Sequence, residues 1–263
     1  MAKLGEKHYK YLRNQEFLDE YVRELENRIT YSNNKFEEDG LEINEFYAAE
    51  HIDNLRDNLK AFELILDKIK FIYDLYEAFK KETNMEKKKK ISFHIKNNRK
   101  LTENFVIEIA NKINKHAPYI SQNYRMIDNG VKFGEKYPIE NAANIKTKMA
   151  ELLDNYYGAW SELDVFEKEA KFNIEFLRIH PFDDGNGRTS RLLLNYNLLL
   201  QGHAPIVFPA NIKEDYFDAR NKEDVNWIKD LFEKESEKEL KVLDKLIEEY
   251  EEEKEKEKLL WVK

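Results

Sequence analysis

At 263 residues, with 41% hydrophobic and 13% aromatic side chains, the chain can bury a substantial core although 37% of it is charged, which excludes a wholly disordered polymer. A formal net charge of −8 opposes non-specific binding to nucleic acid, which needs a basic face to neutralise phosphates. Cysteine is absent, so disulfides and thiolate chemistry are excluded, and no apolar run reaches the length of a signal peptide or a membrane span. The expectation is a cytoplasmic protein without a membrane partner, a secretion route lacking a cleavable signal being left open.

Glycine and proline are scarce and unevenly placed, and they divide the chain into predicted elements. Residues 1–48 read as an N-terminal helical segment. From Leu41 to Ala117 there is neither glycine nor proline, and Leu59, Phe62, Ile65, Leu66, Ile69, Phe71, Ile72, Leu75, Tyr76 and Phe79 form a wide helical stripe. The polar, basic run "NMEKKKK" after it reads as a solvated turn. Thr102 is a predicted N-cap for the next helix, which carries Phe105, Ile107, Ile109 and Ile113. In "RMIDNGVKFG", Asn129-Gly130 between short apolar flanks predicts a tight β-hairpin.

Helical pattern resumes near Asn141 and near Val165. "VFEKEAKFNIEFLRI" lines up Phe166, Ala170, Ile174 and Leu177 and runs into His180-Pro181, where proline ends it. After Arg188 an apolar helix, "TSRLLLNYNLLLQG", stops at Gly202. The C-terminal run is highly charged, with a narrow seam of Leu240, Leu243, Leu246, Ile247 and Tyr250. The expected fold is all-α with one short hairpin. It forms one compact unit of a segment 1–48, a core 49–232 and a charged helix 233–263.

The loop "HPFDDGNGR" between two apolar helices concentrates the chemistry. The first N–H groups of the following helix lack intrahelical partners and sit at the positive end of its dipole. Gly185 and Gly187 let the backbone turn those groups toward an anion, and Arg188 and Arg191 share one helical face from which both reach polyphosphate oxygens. Asp184 is a hard oxygen ligand suited to a magnesium ion that bridges phosphates. His180, across the loop, can accept a proton near neutral pH. With no Ser–His–Asp spacing in evidence, the attacking hydroxyl comes from another molecule. The residues alone predict transfer of a phosphorus-containing group from a nucleotide to an alcohol or phenol, without choosing the phosphorus atom.

"HPFDDGNGRTSR", His180 to Arg191, resembles the signature of Fic domains at every specified position: His-Pro-Phe, any residue, Asp or Glu, Gly-Asn-Gly-Arg, two residues, Arg. The likeness extends over roughly Tyr124 to Arg220, and residues 124–138 look like the family's flap hairpin. The resemblance implies AMP transfer from ATP, with magnesium, to a Tyr, Thr or Ser hydroxyl of a target protein, or of the chain itself. It implies His180 as general base, Asp184 as metal ligand and Gly185, Asn186 and Gly187 as the anion hole. Arg188 and Arg191 would hold phosphates, and Phe182 would anchor the loop. Tyr216 is similar to a position near the nucleotide base, and Ile127, Asp128, Asn129, Gly130 and Val131 correspond to the target-docking flap. Both signature glycines are kept, which favours AMP transfer over the family's phosphorylating branch. UTP, GTP or a phosphocholine donor, removal of AMP, a toxin–antitoxin role, a silent binding module and homo-oligomers are the other readings.

Many Fic proteins carry an inhibitory helix with Ser or Thr, three residues, Glu, then Gly or Asn. "RITYSNNKFEEDG" resembles it, with Glu37 expected to pair with Arg191. The pattern departs where Asn33 stands four residues before Glu37, Glu38 follows it, and Ser32 is one residue out of register.

Overall fold

The computed structural model describes residues 3–37, 45–117, 123–128 and 139–261. The Glu37 side chain and the hairpin expected around Asn129, Gly130 and Val131 lie outside the described residues. Within them the chain runs through α1 (Glu6–Leu12), α2 (Gln15–Glu37), α3 (Glu45–Lys81), α4 (Met85–Asn98), α5 (Glu103–Ile113), α6 (Ile145–Tyr157), α7 (Val165–Ile179), α8 (Asn186–Leu200), α9 (Lys213–Asn221) and α10 (Val225–Trp261). The fold is therefore mainly helical. The β pairing among the described residues is a single bridge between Lys3 and His203.

α8 is the centre of the molecule. Leu192, Leu193, Leu194, Tyr196 and Leu198 are all buried, so the helix is enclosed by neighbours on every side. It packs against α3, α5 and α7, and α7 in turn lies between α8, α6 and α10. Local chemistry starts these helices where the sequence suggests. Thr102 Oγ1 accepts from the Phe105 N–H at 3.3 Å, and the Asp164 carboxylate accepts from the Phe166 and Glu167 N–H groups at 3.0 and 3.3 Å.

Two expectations change. The basic run is not a turn: Asn84 caps α4 by accepting from the Glu86 and Lys87 N–H groups, and the lysines form its first turns. Lysine is a good helix former, and a capping asparagine just before the run outweighs the mutual repulsion of its charges. The C-terminal helix starts earlier than its charge pattern suggests. α10 buries Ile228, Phe232, Ser236, Glu239, Leu243 and Ile247 along a face packed on α7. Its polar members are satisfied: Ser236 Oγ donates to the Ala204 carbonyl at 2.7 Å, and Glu239 takes a two-pronged bond from Arg28 of α2 at 2.5 and 2.8 Å.

Candidate active site

The loop from Pro181 to Gly185 joins α7 to α8 and has a left-handed residue at each end. His180 closes α7 with φ 49° and ψ 61°. Its N–H still reaches the Phe176 carbonyl at 3.0 Å, and Pro181 prevents another helical turn. A side chain in that region costs about 1–2 kcal/mol, so surrounding contacts must hold His180 there. Gly185 takes φ 77° as the N-cap of α8, and glycine adopts it freely.

Between these ends the loop is tied to itself and to the core. Phe182 is 1% exposed and lies between the rings of Tyr124 and Phe176, at centroid distances of 5.6 and 6.4 Å. The buried Asn186 amide spans the loop: Oδ1 accepts from the Phe182 N–H at 2.9 Å, and Nδ2 donates to the Phe182 carbonyl at 2.8 Å. The Asn186 side chain thus shapes the loop, which leaves an anion to be met by backbone. Gly185 offers no side chain to cap the first turn of α8, so that turn keeps its positive end open toward the loop. Gly187 is its second residue and is partly exposed.

Arg188 and Arg191 project from the first two turns of α8 and are both largely buried. Arg188 Nη2 lies 3.1 Å from Asp184 Oδ2 and 3.5 Å from Asn114 Oδ1. The Arg191 guanidinium is 5.9 Å from the centre of the Phe208 ring. The Asp184 side chain is 62% exposed. Tyr216 is 1% exposed, and its hydroxyl donates to Asn173 Oδ1. Asn173 Nδ2 donates to Ser190 Oγ at 2.6 Å, so Tyr216 belongs to a core network joining α9, α7 and α8. Ile127 and Asp128, at the start of the expected flap, are exposed, and the Asp128 carboxylate accepts from the Ala142 N–H at 2.6 Å.

Residues 100–198, which include this loop and nearly all of α8, match the Fic/DOC family. The chain carries a Fic/DOC domain. It is similar to the protein adenylyltransferase fic-1 of Caenorhabditis briggsae, 38% identical over 55 residues that span 21% of this chain and 11% of that protein. It is also similar to the protein adenylyltransferase Fic of Aedes aegypti, 43% identical over 49 residues, 19% of this chain and 10% of that one. The match thus spans about a tenth of each of these relatives. The fold is similar to that of a Fic-domain signalling protein from Bacteroides thetaiotaomicron, with a TM-score of 0.70 at 19% identity over 92% of this chain and 94% of that one. It is likewise similar to Fic-1 of Caenorhabditis elegans, with a TM-score of 0.60 at 16% identity over 93% and 70%.

The Fic/DOC domain is completed by residues whose roles the sequence did not reveal. Asn114, at the end of α5, donates from Nδ2 to the Asp184 carbonyl at 2.9 Å. A Cβ on Gly185 would come within 2.9 Å of both Asn114 side-chain polar atoms. An asparagine after a helix reads only as a stop signal, so nothing local marks this contact. Arg125 donates from Nε to the His180 carbonyl at 2.8 Å, across 55 positions of sequence. Glu169, one face of α7 below the loop, accepts from the Tyr156 hydroxyl and from Asn197 Nδ2 of α8, the latter at 2.9 Å. Burial pushes its carboxyl up to about 7.

One exposed carboxylate of the loop, Asp184, could serve a metal ion that a ligand's own oxygens hold in part. Among the described residues no three His, Cys, Asp or Glu side chains gather as a metal cluster. Magnesium bound through substrate phosphates needs only one or two protein carboxylates. Asp184, exposed beside Arg188, meets that requirement. Also among the described residues, no helix is long and apolar enough to cross a membrane.

Proposed function

We propose that this protein transfers AMP from ATP to a hydroxyl side chain of a target protein. One observation carries the reading: a single short loop sets His180 at one end and the uncapped start of α8, with Arg188 and Arg191, at the other. The names of the curated relatives, protein adenylyltransferases, support the donor and the reaction class.

The backbone at Gly185–Gly187 receives phosphate oxygens, and the two arginines hold the rest of the polyphosphate. Asp184 would ligate magnesium, which would supply positive charge to the phosphates and so ease the departure of pyrophosphate. His180 takes the proton as the target oxygen forms its bond to the α-phosphorus and the bond to the β-phosphate oxygen breaks. Proton, phosphorus and leaving group are thereby accounted for: modified hydroxyl, pyrophosphate and imidazolium. Residues 127–131 are proposed to receive the target backbone as an added strand.

Glu37 is proposed as a brake on Arg191. The Ser32 hydroxyl, on the same helix, donates to the Phe208 carbonyl, and the Phe208 ring lies under Arg191. The last turns of α2 are therefore anchored on the packing partner of that arginine itself, which supports the pairing. A carboxylate there would compete with phosphate for the guanidinium.

The test is incubation with α-labelled or γ-labelled ATP and magnesium, reading self-modification in the wild type, Glu37→Gly and His180→Ala. Label from the α position alone, raised in Glu37→Gly and lost in His180→Ala, is expected. Label from the γ position alone would replace AMP transfer with phosphorylation, and an unchanged signal in Glu37→Gly would remove the brake.

A further inference from the structure

Arg125 has a fully buried guanidinium with no buried acid among its partners in the described residues. Its neighbouring carboxylate, Asp128, is two-thirds exposed and lies at 3.5 Å. The charge is instead spent on backbone carbonyls. Nε donates to His180 at 2.8 Å, Nη1 to Ile127 at 3.0 Å, and Nη2 to Glu140 and, at 3.5 Å, to Ile179. Two of these acceptors are at the C-terminal end of α7, whose dipole favours a cation. The other two flank the segment 128–139 on either side. Backbone pairing reinforces the arrangement: the Arg125 N–H donates to Pro181 at 2.9 Å and the Glu140 N–H to Arg178 at 3.1 Å.

We propose that Arg125 is a positioning residue that fixes the left-handed His180 and both feet of the target-docking segment to one rigid fork. The proposal rests on the AMP-transfer reading for its purpose. A general base and an incoming hydroxyl must be registered to within a fraction of an ångström, and a misplacement of about 1 Å can cost about 100-fold in rate. A guanidinium suits this task because its donors sit in a fixed plane, whereas an ammonium is a point charge on a flexible stem. Among the described residues the bonds of Arg125 go to the end of α7, Pro181, Ile127 and Glu140 and not to α8 or Asn114, so the fork acts on the transfer step and not on nucleotide capture.

The test compares Arg125→Lys with its parent in a Glu37→Gly background, measuring self-modification from α-labelled ATP against ATP concentration. The maximal rate is expected to fall about tenfold or more, with half-saturating ATP within about twofold. A rise in half-saturating ATP that matches the rate loss would reduce Arg125 to a general structural role and overturn the proposal.

Amide hydrogen exchange in the wild type supplies an arm that needs neither activity nor a folded variant. The N–H groups of Arg125, Glu140 and His180 are expected to open together with one free energy. Earlier opening of Arg125 and Glu140, with His180 still protected, would sink the shared fork. Were no label transferred by any form, the AMP reading would fail while the exchange result still decided the role of Arg125.

Discussion

His180 and Gly185 bound the same loop and share a left-handed backbone, yet they are held in opposite ways. Gly185 adopts φ 77° without strain, and its importance is the space it leaves for Asn114. His180 adopts φ 49° against the preference of its side chain, and is kept there by Pro181, by the Phe176 carbonyl and by Arg125. The Gly185 end, proposed to meet the nucleotide, is thus shaped by what is missing, and the His180 end, proposed to hold the base, by what is applied. In the proposed function that strain falls on the residue assigned the role of base.

Substituting each end should break this comparison in a different way. Gly185→Ala carries the largest expected effect. The left-handed backbone and the 2.9 Å approach to Asn114 together should lower stability by about 2–4 kcal/mol. Urea unfolding measures it, and an unchanged midpoint would mean that the loop yields at no cost.

Below the loop, Glu169 joins α7 to α8. Its carboxyl is raised by burial, so the folded state holds that proton more tightly than the unfolded chain does. The sign follows: its contribution is present below the unfolded value near 4.5 and is lost as pH rises through about 7. Glu169→Gln, which imitates the protonated form, should gain on the wild type by up to about 3 kcal/mol between pH 5 and pH 8. Parallel urea titrations at the two pH values check this, and a constant difference would contradict it.

Smaller effects sharpen the contrast. Asn114→Ala removes the bond to the Asp184 carbonyl and should weaken ATP binding by about 1 kcal/mol, a few-fold, in calorimetry. His180→Gly should be more stable than His180→Ala by about 1 kcal/mol, because glycine relieves the left-handed strain. Equal melting temperatures for the two would show that the backbone at 180 is unstrained.

Legibility followed the same divide. The grouping of Gly185, Gly187, Arg188 and Arg191 was readable because they lie within one turn or two of each other, and helix geometry alone brings them together. The helix start at Thr102 and the helix end at His180-Pro181 were readable for the same local reason. The support of the base end was not, because Arg125 and Asn114 reach the loop only through tertiary packing across 55 and 70 positions. Charge misled once, where the lysines after Asn84 form a helix, and Glu239 on α10 is buried because Arg28 meets it from α2. Apolar periodicity cannot count a polar residue whose partner comes from a distant helix.

The central claim is that the base and the nucleotide cradle are separable parts of one loop. ATP binding and α-label transfer, measured side by side in His180→Ala on a Glu37→Gly background, test it most directly. The account predicts an ATP dissociation constant within about twofold of the parent and a transfer rate lower by about 100-fold or more. Loss of ATP binding in proportion to the loss of rate, or transfer that persists without His180, would contradict it.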